Sequence, residues 1–190
     1  MDSIVALKRS QAEFQRRLDA VTDDQWDLPT PCEEWTVHDL VNHGLLGTRM
    51  SGQLLEGASS AEVVAGFDDD LVAGGDPRVT FAESASRMRE LFGAPDGLDG
   101  TVDHPMGEIP RTMFVGFRIG DQTTHAWDLA RAIGADESLD AELVQRAWDD
   151  LQPMRAMVVE SGMFGEGPSG TVDEDGDLQT RLLDLVGRRP

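Results

Sequence analysis

The sequence predicts an all-α protein: a helical bundle with additional short helices and one small hairpin. Apolar residues recur at helical spacing in several long segments. Proline, glycine and N-capping residues stand where these segments begin and end. The chain has 190 residues, of which 39 % are hydrophobic and one is cysteine. It is therefore long enough to bury a core without disulfides, and we expect a single helical domain over residues 1–190.

The first half of the chain predicts three long helices. Thr36 is a good N-cap with an acid, Asp39, three residues later, which is a variant of the capping box. Pro77 suits the first turn of a helix, where its missing N–H costs nothing. The apolar pattern and these signals predict long helices over 4–20, 37–56 and 77–92, and a loop over 57–76 with a short helix near 61–66.

The second half predicts a hairpin and three helical segments. Val102 and Ile109 flank a Pro-Met-Gly-Glu turn, which favours a short hairpin. A helix should follow and stop at Gly134. A second one should bend or break at Pro153. The predicted segments are helices over 111–133 and 138–160, a loop over 161–177 and a last helical segment over about 178–187.

The composition excludes some classes of function. The formal charge is −20, from 36 acidic and 16 basic residues, and such a surface repels nucleic-acid phosphates and anionic membranes. The N-terminus lacks a basic region followed by an apolar run. No stretch approaches the roughly 18 apolar residues of a membrane span. We therefore expect a cytoplasmic protein without nucleic-acid or membrane partners.

Asp121 and His125 form the first candidate site. They are four residues apart on a predicted helix, so at about 100° per residue they project from one face. A carboxylate and an imidazole so placed can bind one divalent cation. Spacing alone equally accommodates an i,i+4 hydrogen bond on a solvated face.

His43 is the third candidate ligand. It lies beside the apolar stripe of the second predicted helix, and so faces the bundle interior or its rim. A packed, hydrogen-bonded core histidine is the alternative. If the second and fourth long helices are neighbours, His43 completes a set with Asp121 and His125. Three protein ligands and an open position are what a catalytic zinc site needs.

The other two histidines and Asp128 are weaker candidates. His38 is expected at the surface of the first helical turn. His104 is expected in an exposed loop, with the rim of a pocket as the alternative. Asp128 shares the face of His125 and could orient it from behind. A structural bond from Asp128 to Arg131 or to a helix terminus is the competing interpretation.

Two tryptophans and the cysteine carry weaker functional signals. Trp35 and Trp127 are expected to be core anchors rather than substrate platforms. Cys32 is expected to be a small packed residue rather than a nucleophile, because no histidine or lysine lies beside it in sequence to lower its pKa. No residue can be named as a general base, so the catalytic residues stay unknown.

Two segments together resemble a known family. Residues 29–43, PTPCEEWTVHDLVNH, look like the first signature of the mycothiol-dependent maleylpyruvate isomerase metal-binding domain. The run from Asp121 through His125-Ala126-Trp127-Asp128-Leu129-Ala130-Arg131 looks like the second signature. The closing residues 182–190, LLDLVGRRP, resemble an actinobacterial branch of that group. The resemblance spans nearly the whole chain.

The resemblance implies a DinB-like four-helix bundle of the DinB/YfiT-like superfamily that holds one divalent metal. Carried over, the ligands are His43, Asp121 and His125, the trio that spacing also proposes. Zinc is the first expectation, with Ni²⁺, Fe²⁺ and Mn²⁺ as alternatives. The isomerase has a glutamate where this chain has Asp121. It also has a C-terminal domain for which too few residues follow Arg131, so maleylpyruvate isomerisation itself is not implied.

Three functional hypotheses follow. The first is a metal-dependent transferase that binds mycothiol or a related small thiol and presents the thiolate to a small electrophile. The second is a metal-dependent hydrolase that uses water instead. The third is a non-catalytic metal-binding protein. The expected partners are a small-molecule substrate or thiol, and a homodimer stays open.

Overall fold

The computed structural model describes residues 1–160, 167–173 and 175–190. It confirms the prediction of an all-α fold with one small hairpin. The elements in chain order are α1 (Ser3–Ala20), α2 (Val37–Leu55), α3 (Ser60–Val64), α4 (Pro77–Phe92), β1 (Thr101–His104), β2 (Gly107–Pro110), α5 (Arg111–Ala132), α6 (Ala141–Leu151), α7 (Arg155–Glu160) and α8 (Leu178–Leu185).

The four long helices α1, α2, α4 and α5 form the bundle. Helix α1 packs on α5 and α4, and α2 packs on α4 and α5. One core cluster lies around Phe14, Leu45 and Phe81, and a second around Phe92 and Phe114. The neighbouring placement of α2 and α5 is the arrangement that the predicted three-residue site requires.

Local signals fix where α2 begins and how closely it packs. The Thr36 hydroxyl accepts from the Asp39 N–H while the Asp39 carboxylate accepts from the Thr36 N–H, so the predicted capping box is present. Farther along α2, a Cβ added at Gly44 would lie 2.7 Å from Cζ of Phe14. Glycine therefore leaves room for the Phe14 ring of α1 to pack against α2 next to His43.

The remaining predicted elements are also present. Val102 pairs with Ile109 in the antiparallel hairpin. Helix α5 ends before Gly134, which adopts a left-handed φ of 69°. A 3-10 turn that contains Pro153 separates α6 from α7. Of the predicted loop over 161–177, residues 161–166 and 174 lie outside the described part of the chain, and the others form neither helix nor strand up to α8.

Helix α8 packs on α6, and the residues after it return to the bundle. Gly187 has a φ of 80°, which turns the chain back after α8. The N–H of Arg188 donates to the Leu183 carbonyl at 2.8 Å. Among the described residues, no helix is both long and apolar enough to cross a lipid bilayer.

Candidate metal centre

The structure brings His43 of α2 together with Asp121 and His125 of α5. Nε2 of His43 lies 3.2 Å from Oδ1 of Asp121, and Nε2 of His125 lies 3.5 Å from the same oxygen. One ligand atom from each residue falls within 4.8 Å of the others. The two imidazole rings meet edge to face at 4.9 Å between centroids. Two nitrogens and one carboxylate oxygen thus converge on one point.

Arg118 supports the carboxylate of this cluster. Its Nη2 donates to Oδ2 of Asp121 at 3.0 Å, which leaves Oδ1 toward the histidines. Burial alone would raise the pKa of Asp121, but Arg118 and the two histidines hold that pKa well below its usual range. Asp121 is therefore ionised, as a metal ligand must be.

Asp128 and Arg188 hold the other side of the His125 ring. Nδ1 of His125 lies 2.9 Å from Oδ2 of Asp128. Arg188 donates to both oxygens of Asp128, from Nε at 3.1 Å and from Nη2 at 2.7 Å. Burial would raise the pKa of Asp128, but the bonds from His125 and Arg188 lower it.

These contacts fix the orientation of His125. Because Nδ1 faces Asp128, Nε2 faces Asp121 and His43. Burial alone would lower the pKa of His125, but Asp121 and then Asp128 raise it well above its ordinary value. In the metal-free protein, the carboxylates on either side of His125 thus favour the protonated form of its imidazole.

Cys32 belongs to the same neighbourhood, although no histidine lies beside it in sequence. Its Sγ lies 3.9 Å from Nδ1 of His125 and 3.4 Å from Oδ2 of Asp128. Nη2 of Arg188 lies 3.1 Å from the same sulfur. Cys32, His125 and Asp128 thus make a second three-donor cluster. Nothing in the sequence around Cys32 signals these contacts, because its neighbours come from α5 and the segment after α8.

Trp35, which is expected to be a core anchor, packs against the core cluster around Phe14 and Phe81 as a partly buried residue and also lies at the site. Its ring is 4.9 Å from the His43 ring and stacks on the His125 ring at 5.9 Å. It is half-buried and covers the two imidazoles. Trp127 is the buried core anchor that was expected, and the Arg131 guanidinium lies 4.2 Å from its ring centroid.

Arg131 is not the partner of Asp128. Its side chain pairs with Glu137 at 2.7 Å and donates to the Arg189 carbonyl. The structural alternative that joined Asp128 to Arg131 is therefore wrong. Asp128 lies behind His125, where the other interpretation of its spacing placed it.

The two remaining histidines lie outside both clusters. His38, at the start of α2, is partly exposed and lies 3.3 Å from Asp70. His104 was expected in an exposed loop, but it ends β1 and packs against the rings of Phe114 and Phe117. Burial, with Arg118 second, lowers the pKa of His104. Its position follows from the hairpin folding onto α5, which the glycine- and proline-rich sequence around it does not reveal.

An open cavity of about 450 Å³ adjoins His43. Glu34 and Asp39 give its wall two exposed carboxylates, and Trp35 and Phe67 give it aromatic surface. Glu34 has a φ of 64°, a conformation that few non-glycine residues adopt. The cavity gives small molecules access to the exposed side of the three-residue cluster.

Comparison with known proteins identifies the family. The model of the mycothiol maleylpyruvate isomerase N-terminal domain matches residues 7–130, well over half of the chain. The chain belongs to this family. The resemblance seen in the two sequence motifs is thereby confirmed.

Relatives and solved structures agree with the family. Two uncharacterized proteins from two strains of Mycobacterium tuberculosis are each 40 % identical over 158 residues, which cover 83 % of this chain and 80 % of theirs. Crystal structures of the mycothiol-dependent maleylpyruvate isomerase and of a histidine-to-alanine mutant share the fold, each with a TM-score of 0.60. Their sequence identities are 16 % and 15 %, over 84 % of this chain and 69 % of theirs.

Proposed function

We propose that the protein binds one divalent metal ion, zinc foremost, through His43, Asp121 and His125. We further propose that it transfers a mycothiol-type thiol to a small electrophile. The observation that carries the proposal is the convergence of three donor atoms within 4.8 Å beside an open cavity. Its first support is the donor set, because two imidazole nitrogens and one carboxylate oxygen suit zinc.

The second support is that neighbouring residues already ionise or orient the donor groups. Asp121 is ionised next to Arg118, and Asp128 holds His125 with Nε2 toward the cluster. The Trp35 ring stacks on the His125 ring and packs at a tilt against the His43 ring, which restricts how both imidazoles can turn. These contacts fix the donors before any ion arrives, which reduces the cost of ordering them on binding.

The third support is the open side of the cluster. The His43 side chain is 39 % exposed and borders the cavity, so a small thiol can reach the position that three protein ligands leave free. A bound zinc ion would lower the pKa of such a thiol and hold it as a thiolate. The chain's own residues supply the orientation and the walls.

The charge of the cavity wall favours one class of electrophile. Glu34 and Asp39 are exposed there, and carboxylates repel a dianionic substrate. Trp35 and Phe67 offer aromatic surface for an apolar body. We therefore expect an uncharged electrophile rather than a dicarboxylate, in contrast to the reaction for which the structural relatives are named.

The experiment measures conjugation of mycothiol to monochlorobimane, an uncharged electrophile whose thiol adduct fluoresces, with zinc-loaded protein. We expect turnover that needs both zinc and the thiol, and its loss in His125→Ala. His38→Ala is the matched control, since His38 lies outside both clusters. Zinc-loaded protein that conjugates neither this electrophile nor a panel of others would refute thiol transfer. Hydrolysis of esters without thiol would favour the hydrolase instead.

A further inference from the structure

Arg188 lies outside both family motifs, yet it reaches the candidate metal centre from the far side. The Arg188 side chain is 9 % exposed and the Asp128 side chain is fully buried. Nε and Nη2 of the guanidinium donate to the two oxygens of the carboxylate at 3.1 and 2.7 Å. Two such parallel bonds fix both the position and the plane of a carboxylate.

The plane of Asp128 matters because the same carboxylate holds His125. Its Oδ2 lies 2.9 Å from Nδ1 of His125, opposite the nitrogen that faces Asp121 and His43. A carboxylate behind a ligating histidine fixes which nitrogen faces the metal and how the ring is turned. With Arg188 removed, Asp128 would keep only His125 and the weakly donating Cys32 thiol as described partners.

The backbone around Arg188 aims this side chain inward. Gly187 takes the left-handed conformation, and the Arg188 N–H donates to the Leu183 carbonyl at 2.8 Å. Nη1 donates to the Val186 carbonyl at 2.7 Å, which holds the guanidinium from its own segment. The next residue, Arg189, turns instead to Asp184 and to the Gly167 carbonyl.

We infer that Arg188 is a positioning residue of the metal centre, which acts through Asp128 to hold His125 in its ligating orientation. This inference rests on the proposed metal site. The segment after α8 thereby becomes part of the site, although it touches none of the open cavity beside His43. A purely structural Arg188 would stabilise the fold by neutralising buried Asp128, and its loss would leave the orientation of the His125 ring and the zinc affinity unchanged.

The test compares the full-length protein with Arg188→Ala, Arg188→Lys and, as the matched control, Arg189→Ala. Zinc affinity is measured by competition with a chromophoric chelator. The imidazole nitrogens of His125 are followed by NMR in the metal-free proteins at one pH. We expect Arg188→Ala to weaken zinc binding by about 10- to 100-fold and to shift the His125 signals. Lysine should restore only part of the affinity because it lacks the planar fork.

Several outcomes separate this inference from its rivals. Arg189→Ala should leave both readouts unchanged, and an equal effect there would overturn the inference. So would an Arg188→Ala protein that melts earlier but keeps wild-type zinc affinity and His125 signals. If Arg188→Ala does not fold, the affinity and His125 signals of Arg188→Lys decide. If the unmodified protein takes up no zinc, the proposed function fails, and the metal-free NMR comparison still decides the role of Arg188.

Discussion

The two ring nitrogens of His125 face two clusters of three donors. Each cluster contains His125 and one aspartate, but the two differ in their accessibility to solvent. The outer cluster, on the Nε2 side, holds His43 and Asp121; the inner cluster, on the Nδ1 side, holds Cys32 and Asp128. Each offers three donors to a cation. Of the outer residues, His43 borders an open cavity, whereas Asp128 of the inner cluster is fully buried.

The cation of the inner cluster is already supplied by the chain. Arg188 contacts both Asp128 and the Cys32 sulfur there, so a metal would have to displace a buried guanidinium and leave its charge without a carboxylate partner. In the outer cluster, Arg118 occupies only one oxygen of Asp121. Three donors in proximity therefore do not define a metal site, because the charge already present among them decides which cluster is free for an ion.

Replacing one donor of each cluster by alanine should give the largest difference in zinc affinity. His43→Ala should weaken zinc binding by on the order of 100-fold or more, since losing even a residue behind a ligand costs about 10- to 100-fold. Cys32→Ala should leave the affinity near that of the unmodified protein, because Arg188 keeps the inner cluster satisfied. Chelator competition measures both. A reversed order would place the ion in the inner cluster.

Neutralising Asp128 should affect both clusters. In Asp128→Asn, buried Arg188 loses its anionic partner, so we expect the metal-free protein to lose about 3 kcal/mol of unfolding free energy. Zinc binding should weaken about 10-fold because His125 loses its charged support. Urea denaturation and chelator competition measure the two effects.

Asp150→Asn is the matched control for this change. Asp150 pairs with Arg146 at 2.8 Å on a partly exposed part of α6, so its neutralisation should cost at most about 1 kcal/mol. Equal destabilisation by the two variants would mean that the buried Asp128–Arg188 pair contributes no more to stability than a partly exposed pair. Unchanged zinc affinity in Asp128→Asn would mean that the carboxylate does not support His125.

The sequence allowed the outer cluster to be predicted because its signals are local. Asp121 and His125 share a helix face by their spacing, and the Thr36 cap fixes where α2 begins. Pro77, Gly134 and Pro153 mark helix ends or breaks through their backbone restrictions, and the structure places them there. The family resemblance supplied the one long-range element, the proximity of α2 and α5.

The inner cluster had no such signal. Cys32 lies before α2, Arg188 follows α8, and each meets Asp128 only through tertiary packing. Trp35 packs against the core, as expected, but the loop before α2 also places its ring on two histidines. Periodicity says which face of a helix is buried. It does not say which side chains from irregular segments reach that face.

Proton release on zinc binding is a small effect, but it tests the outer cluster directly. Because the pKa of His125 is raised, zinc binding to His125 should displace a proton, so we expect release of up to about one proton per ion and a zinc affinity that rises with pH. Calorimetric titrations in buffers of different ionisation enthalpy measure this number. Zinc binding with no proton release would show either that His125 is neutral before the ion binds or that His125 is not a ligand.

In the metal-free protein, the ionisation of His125, Asp121 and Asp128 should make the free energy of unfolding depend on pH. Because the folded pKa of His125 is raised, its contribution is full below the ordinary histidine value of 6.5 and is lost as the pH rises through the folded value. Asp121 and Asp128 have lowered pKa values, so they stabilise above the ordinary value of 3.8 and lose that effect as the pH falls through their folded values. Zinc should reverse the alkaline loss only, since bound His125 needs no proton. If zinc leaves the pH dependence of the unfolding free energy unchanged, the ion does not bind at this cluster.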